Sequence, residues 1–123
     1  MSRDIRRTFV TGATSMVGSS VVRACLEEGV EVIAAVRPHS RRMGNLPDTE
    51  GVSQLECELG SLAQLDVSRI EPCDAFFHIA WAGSAGPDRD DALLQTANIE
   101  YAVAAAQLAS RLGCRWLDRK SVV

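Results

Sequence analysis

The chain has little positive charge to spare. It carries 13 Lys and Arg against 16 Asp and Glu, a formal net charge of -3. A general nucleic-acid binder would present a basic face, so no nucleic-acid partner is expected. No apolar run approaches the ~20 residues that span a bilayer, so no membrane partner is expected either. The N-terminus Met-Ser-Arg-Asp-Ile-Arg-Arg runs directly toward a strand, with no apolar h-region and no small-residue cleavage site. The four cysteines, Cys25, Cys57, Cys73 and Cys114, form no Cys-x-x-Cys pair and have no neighbouring histidines. That excludes a zinc site and leaves free thiols acting as small hydrophobes in a reducing, cytoplasmic setting. There is one tyrosine, Tyr101, and one lysine, Lys120. Internal repeats and low-complexity segments are lacking.

What remains is an ordinary globular composition, 46% hydrophobic and 24% charged over 123 residues. This is enough chain for one domain with a buried core. Its most informative stretch is residues 8–18, Thr-Phe-Val-Thr-Gly-Ala-Thr-Ser-Met-Val-Gly. Phe9 and Val10 read as the end of a strand, Gly12 as a turn, and Ser15–Glu28 as a helix with Val17, Val21, Ala24 and Leu26 on its apolar positions. A strand that turns through glycine into a helix leaves backbone N–H groups and the positive helix end at one point. Such a point binds phosphate. Gly12 permits the turn and Gly18 permits close packing of helix on sheet. Between them Ala13, Thr14, Ser15 and Met16 can offer amides to a pyrophosphate. Ser15 takes the place of the usual middle glycine, and its hydroxyl can cap the helix or bond a phosphate oxygen.

Further along, strand-like and helical runs alternate. Gly29 closes the first helix. Val30–Val36 is nearly continuous in apolar residues, which suits a parallel strand covered on both faces. Arg37–Asp48 is a polar loop, Val52–Glu56 a short third strand, and Ser61 caps a short helix over Leu62 and Leu65. Asp74–Ala80 is a fourth strand. A small-residue loop, Trp81–Pro87, leads into a long helix from Asp88 to Leu112. Its apolar positions are Leu94, Ala97, Tyr101, Ala104, Leu108 and Leu112, and Asp88, Asp90 and Asp91 favour its N-terminal dipole. The order predicts an α/β fold, a Rossmann-like doubly wound parallel sheet of four to five strands.

The tail breaks the pattern. Arg115, Trp116 and Leu117 begin a fifth strand, and Asp118, Arg119 and Lys120 follow at once. Three charges in a buried parallel strand would be costly. Either the strand stops after Leu117 or the tail is not native to the fold, so the expected domain is 1–117, with 118–123 an atypical charged tail. A doubly wound dinucleotide fold has about six strands, so the chain reads as the front part of something longer.

The end of the second strand bears on cofactor choice. NAD-selective folds place an Asp or Glu there for the ribose 2′-OH. Here Ala34-Ala35-Val36 is followed by Arg37, with Arg41 and Arg42 beyond. A guanidinium suits a 2′-phosphate and can stack on adenine, so NADP is expected over NAD. His78, alone in an apolar strand, reads as a structural, hydrogen-bonded residue.

Thr-Gly-Ala-Thr-Ser-Met-Val-Gly resembles the TGxxGxxG loop of the extended short-chain dehydrogenase/reductases, the NAD(P)-dependent epimerase/dehydratase family. Glu58-Leu59 is similar to the acidic-apolar pair that meets the adenine there. His78-Ile79-Ala80-Trp81 resembles that family's H-x-A-A, with Trp81 for the second alanine. Asn98 matches an Asn near its active site. The resemblance covers residues 5–115 and implies cofactor contacts from Gly12, Thr14, Ser15, Met16, Val17, Gly18, Arg37, Glu58, Leu59, Ala80, Trp81 and Asn98. It implies an oxidoreductase or epimerase parent, with a nucleotide sugar as a candidate substrate, that passes hydride between substrate and nicotinamide. It also exposes a departure. Family catalysis uses a Tyr-x-x-x-Lys pair, and Tyr101 and Lys120 are not so spaced. Ser121 falls near the family's catalytic Ser/Thr by count, but in the charged tail. No catalytic residue is assigned, and this chain alone is expected to be inactive. A non-catalytic NADP-binding or sensing module, or an inactive truncated fragment, is the alternative.

Overall fold

The structure is a computed structural model describing residues 5–38, 43–47, 49–80 and 92–119. Its strands are β1 (Arg7–Thr11), β2 (Glu31–Val36), β3 (Val52–Glu56), β4 (Ala75–His78) and β5 (Trp116–Arg119). They form one parallel sheet in the order β3-β2-β1-β4-β5. The chain builds outward from β1 to β3, then crosses to the other side of β1 to place β4. The β1–β4 seam is therefore the switch point of the sheet, where such folds bind ligands.

Helix α1 (Met16–Glu27) covers one face and α2 (Ala92–Arg111) the other. Strand alternation divides the core accordingly. Val10, Val32, Ala34 and Val36 pack with Val22 of α1, whereas Phe9, Ala35 and Phe76 pack with Ala105, Leu108, Ala109 and Leu112 of α2. The Phe9 and Phe76 rings stack at 4.9 Å between centroids. Burial on both faces explains why residues 32–36 of β2 are apolar without interruption.

Both helices stop by the same device. Gly29 (φ 74°) and Gly113 (φ 83°) adopt the left-handed conformation. After α1, the Val30 amide reaches Cys25 O at 2.9 Å; after α2, the Cys114 amide reaches Ala109 O at 2.9 Å. These are Schellman closures.

Three expectations need correction. The segment after β3 is a 3-10 helix, Leu59–Gln64, with Glu58 at its N-cap, so Ser61 lies inside it and caps nothing. The inward face of α2 is carried by Asn98, Ala105, Leu108, Ala109 and Leu112; Ala97, Tyr101 and Ala104 are only half-buried. In so alanine-rich a helix the apolar period has little contrast, and the shapes of the sheet and of Leu62 choose the face. Finally, β5 does not stop at Leu117. It continues through Asp118 and Arg119, paired with Phe77 and His78. It lies at the sheet edge, where Trp116 and Leu117 are 46% and 44% exposed and Asp118 is exposed as well, so the Asp118 carboxylate is not buried. The start of the long helix, with Asp88, Asp90 and Asp91, lies outside the described residues, as do Arg41, Arg42, Trp81, Lys120 and Ser121. No described helix is long and apolar enough to cross a membrane.

Candidate functional site

All five strands are parallel, so the residues that follow them share one edge. Gly12 follows β1, Arg37 follows β2, Glu58 lies just past β3, and Ala80 just past β4. Gly12 occupies φ 65°, a conformation open to glycine at little cost. It is also pinned sterically, since a Cβ there would lie 2.6 Å from Ala80 N. Gly18 answers it from the helix. A Cβ at Gly18 would meet Gly12 O at 1.9 Å. The two glycines thus let the end of β1, the end of β4 and the first turn of α1 converge.

Ser15 organises that first turn. Its Oγ donates to Gly12 O at 2.8 Å and accepts from Gly18 N at 3.0 Å. Its carbonyl takes the Ser19 amide at 2.8 Å. Of the two possibilities for this hydroxyl, the structure uses it as the cap. The remaining first-turn amides, those of Met16 and Val17, are the ones helix geometry leaves for an acceptor outside the helix. Both residues are exposed, Met16 at 82%. Thr14 is held from outside: its carbonyl accepts from Asn45 Nδ2 at 2.8 Å. Asn45 comes from the 3-10 turn Met43–Asn45 after β2 and was not anticipated from the sequence. A lone Asn in a polar loop carries no local signal of that contact.

The seam between β1 and β4 is fastened by Thr11. Its Oγ1 accepts from Ile79 N at 3.1 Å and Ala80 N at 3.2 Å, and lies 2.8 Å from His78 Nδ1. With both lone pairs engaged, the hydroxyl proton goes to Nδ1. His78 is buried, as a structural residue would be.

Arg37 is exposed directly after β2. Glu58 is exposed as well, while Leu59 opens the 3-10 helix and packs partly into the α2-side core. Asn98 is buried on α2. The Cys73 amide bonds Leu112 O at 3.2 Å, which aligns the end of α2 with the start of β4. Asn98 stands fourteen positions earlier, about 21 Å along a helix, and Ala80 lies about 23 Å along the strand from Cys73. Asn98 is therefore level with the edge that holds Gly12 and Ala80.

Tyr101 is half-buried and its ring lies beside Gly60. The cysteines are held as thiols. Burial pushes Cys73 up to about 12, with Cys114 adding to it, and burial pushes Cys114 up to about 11. Burial also raises Cys25 and Cys57, the latter helped by the Glu58 carboxylate. No metal-binding cluster occurs among the described residues. An open cleft of about 670 Å³ lies at the opposite edge, among Arg7, Glu31, Glu50, Arg69 and Glu71. Its main cation is already paired, Arg7 with Glu31 at 2.9 Å and Glu71 at 2.6 Å.

Residues 8–121 match the model of the NAD dependent epimerase/dehydratase family. The chain belongs to that family. A provisionally named dihydroflavonol 4-reductase of Synechocystis is 37% identical over 75 residues, 58% of this chain and 20% of that protein. Among solved structures, the Bordetella bronchiseptica enzyme WbmG in complex with NAD superposes with a TM-score of 0.75 at 22% identity, covering 97% of this chain and 38% of WbmG. The UDP-glucose 4-epimerase of Thermotoga maritima superposes with a TM-score of 0.74 at 22% identity, covering 94% of this chain and 37% of that one. At such identity these structures establish the shared fold. The chain spans well under half the length of each.

Proposed function

We propose that this epimerase/dehydratase-family chain is the dinucleotide-binding part of an oxidoreductase or epimerase, with NADP preferred over NAD. The observation that carries the reading is the cradle at the β1–β4 seam. A Cβ on Gly12 or Gly18 would strike backbone, and the Met16 and Val17 amides head a helix at that point. Such a cradle suits a pyrophosphate. Arg37 stands at the end of β2 for a 2′-phosphate, Glu58 and Leu59 for the adenine, and Ala80, Trp81 and Asn98 for the rest of the cofactor. Bound nicotinamide would supply or accept hydride. The relatives lend support: WbmG was solved with NAD, and also with NAD and UDP. A nucleotide sugar is accordingly the substrate class we assign to the whole protein.

The test is an NADPH fluorescence titration. Saturable binding is expected for the chain, and Gly12→Val should abolish it. A β-branched residue resists φ 65° and fills the space against Ala80. Absence of binding by the unaltered chain, or unchanged binding by a folded Gly12→Val, overturns the reading.

A further inference from the structure

We infer that Asn45 is a positioning residue for the dinucleotide, acting through one peptide plane of the glycine turn. The inference rests on reading that turn as the pyrophosphate site. The plane is the Thr14–Ser15 peptide, and it is held at both ends. Its carbonyl accepts from Asn45 Nδ2 at 2.8 Å, and its N–H donates to Gly12 O at 3.1 Å. Asn45 is itself anchored. Its backbone carbonyl accepts from Arg23 of α1 at 3.2 Å, and the next residue, Leu46, is buried among the α1-side core residues. The donor is thus fixed in space although its loop is polar.

The orientation of that plane matters to an anion. A carbonyl oxygen carries partial negative charge and repels a phosphate, whereas an N–H attracts one. Asn45 belongs to the connection after β2, so its bond keeps the Thr14 oxygen on the β2 side of the turn, away from the β1–β4 seam. Rotating the peptide would break the Ser15 amide's bond to Gly12 O. It would also shift the hydroxyl that holds the Gly18 amide at 3.0 Å. The cap and the cradle would loosen together. A side-chain amide does this work without adding charge of its own. It also couples the loop that begins with Arg37 to the loop that meets the pyrophosphate.

The decisive variant is Asn45→Asp, which keeps the shape and sets a carboxylate oxygen against the Thr14 oxygen. Asn45→Ala removes the donor without adding charge and serves if the aspartate variant fails to fold. Two readouts are needed. In the unliganded chain, hydrogen exchange of the Ser15 and Gly18 amides should quicken roughly tenfold in Asn45→Asp, with the Phe9 and Val32 amides unchanged. NADPH affinity should fall roughly tenfold, with a smaller loss in Asn45→Ala and partial recovery in Asn45→Gln. A merely structural tether would move all four amides together, and that result refutes the inference. So does Ser15 exchange that stays within about twofold of the unaltered chain, even if affinity falls, because the added charge alone would then explain the loss. If the unaltered chain fails to bind NADPH but the Ser15 amide responds, the cofactor reading falls while the hold on the peptide stands.

Discussion

Gly18→Ala sets two physical effects against each other. Gly18 lies inside α1, and helix propensity alone favours alanine there by about 1 kcal/mol. Sterics say the opposite. The new Cβ would lie 1.9 Å from Gly12 O, 2.7 Å from Gly12 C and 3.0 Å from Ala13 Cα. Ordinary contact needs about 3.5 Å, so the helix must lift from the turn by more than an ångström. Every atom it meets is backbone, so no side chain can swing aside. Lifting strains the bond from the Gly18 amide to Ser15 Oγ and loosens Val22 in the core. Overpacking of this kind costs about 1–3 kcal/mol and a lost cap about 1 more. The net expectation is a destabilisation of roughly 1–3 kcal/mol after the propensity gain. Urea unfolding followed by circular dichroism measures it. Gly29→Ala is the control, since its φ is 74° and nothing lies within 4 Å of its Cβ position. That variant should lose only the left-handed penalty, about 1–2 kcal/mol. A Gly18→Ala chain as stable as the original, or more so, would refute the close approach of α1 to the turn.

Arg37→Asp should lower the NADP-over-NAD preference by about tenfold or more, because it removes a partner for the 2′-phosphate and creates an acceptor for a 2′-OH. Comparative titrations with NADPH and NADH read it, and an unchanged ratio would make Arg37 a solvated loop charge. Thr11→Val keeps the shape of the side chain but leaves Ala80 N and His78 Nδ1 without the hydroxyl. It should cost roughly 2–3 kcal/mol in urea unfolding, with Thr11→Ser recovering most of it. Alkaline pH should destabilise the fold. Cys73 and Cys114 are raised to about 12 and about 11, whereas an unfolded thiol ionises near 8.5. The folded chain therefore holds more protons than the unfolded one above that point. The thiol contribution is complete below about pH 8.5 and is lost as pH rises toward the folded values. Melting temperature against pH, with Cys73→Ala as comparison, checks the sign.

What could be read from the chain is what is decided locally or by burial on both faces. β3 has the bounds Val52–Glu56 that its residues indicate, and the α1 cap at Ser15 follows from a hydroxyl before an apolar period. β5 misled because the cost of its charges was reckoned for a central strand, and an edge strand leaves Asp118 in solvent. The inward face of α2 misled for a different reason. Ala102, Ala104, Ala105, Ala106 and Ala109 make several faces equally apolar, so the choice is made by what the helix lies on.

The site divides along the same line. Gly12, Ser15 and Gly18 are close neighbours in sequence, and their roles follow from a strand, a turn and a helix in succession. The contacts that hold them are long-range. Thr11 reaches Ile79 and Ala80 across sixty-eight and sixty-nine positions, and Asn45 reaches Thr14 across thirty-one. No spacing rule announces such pairs, because the parallel sheet creates them when it sets the ends of β1, β2 and β4 side by side. The glycine turn that we propose as the phosphate cradle is thus written in one short segment, but its rigidity is written in three. A variant that spares residues 8–18 can still loosen the cradle, and Thr11→Val from the β4 side and Asn45→Asp from the β2 side should do so independently. Their effects should add if the two fastenings act on separate peptide planes. They should fall short of adding if one loosened plane already frees the other.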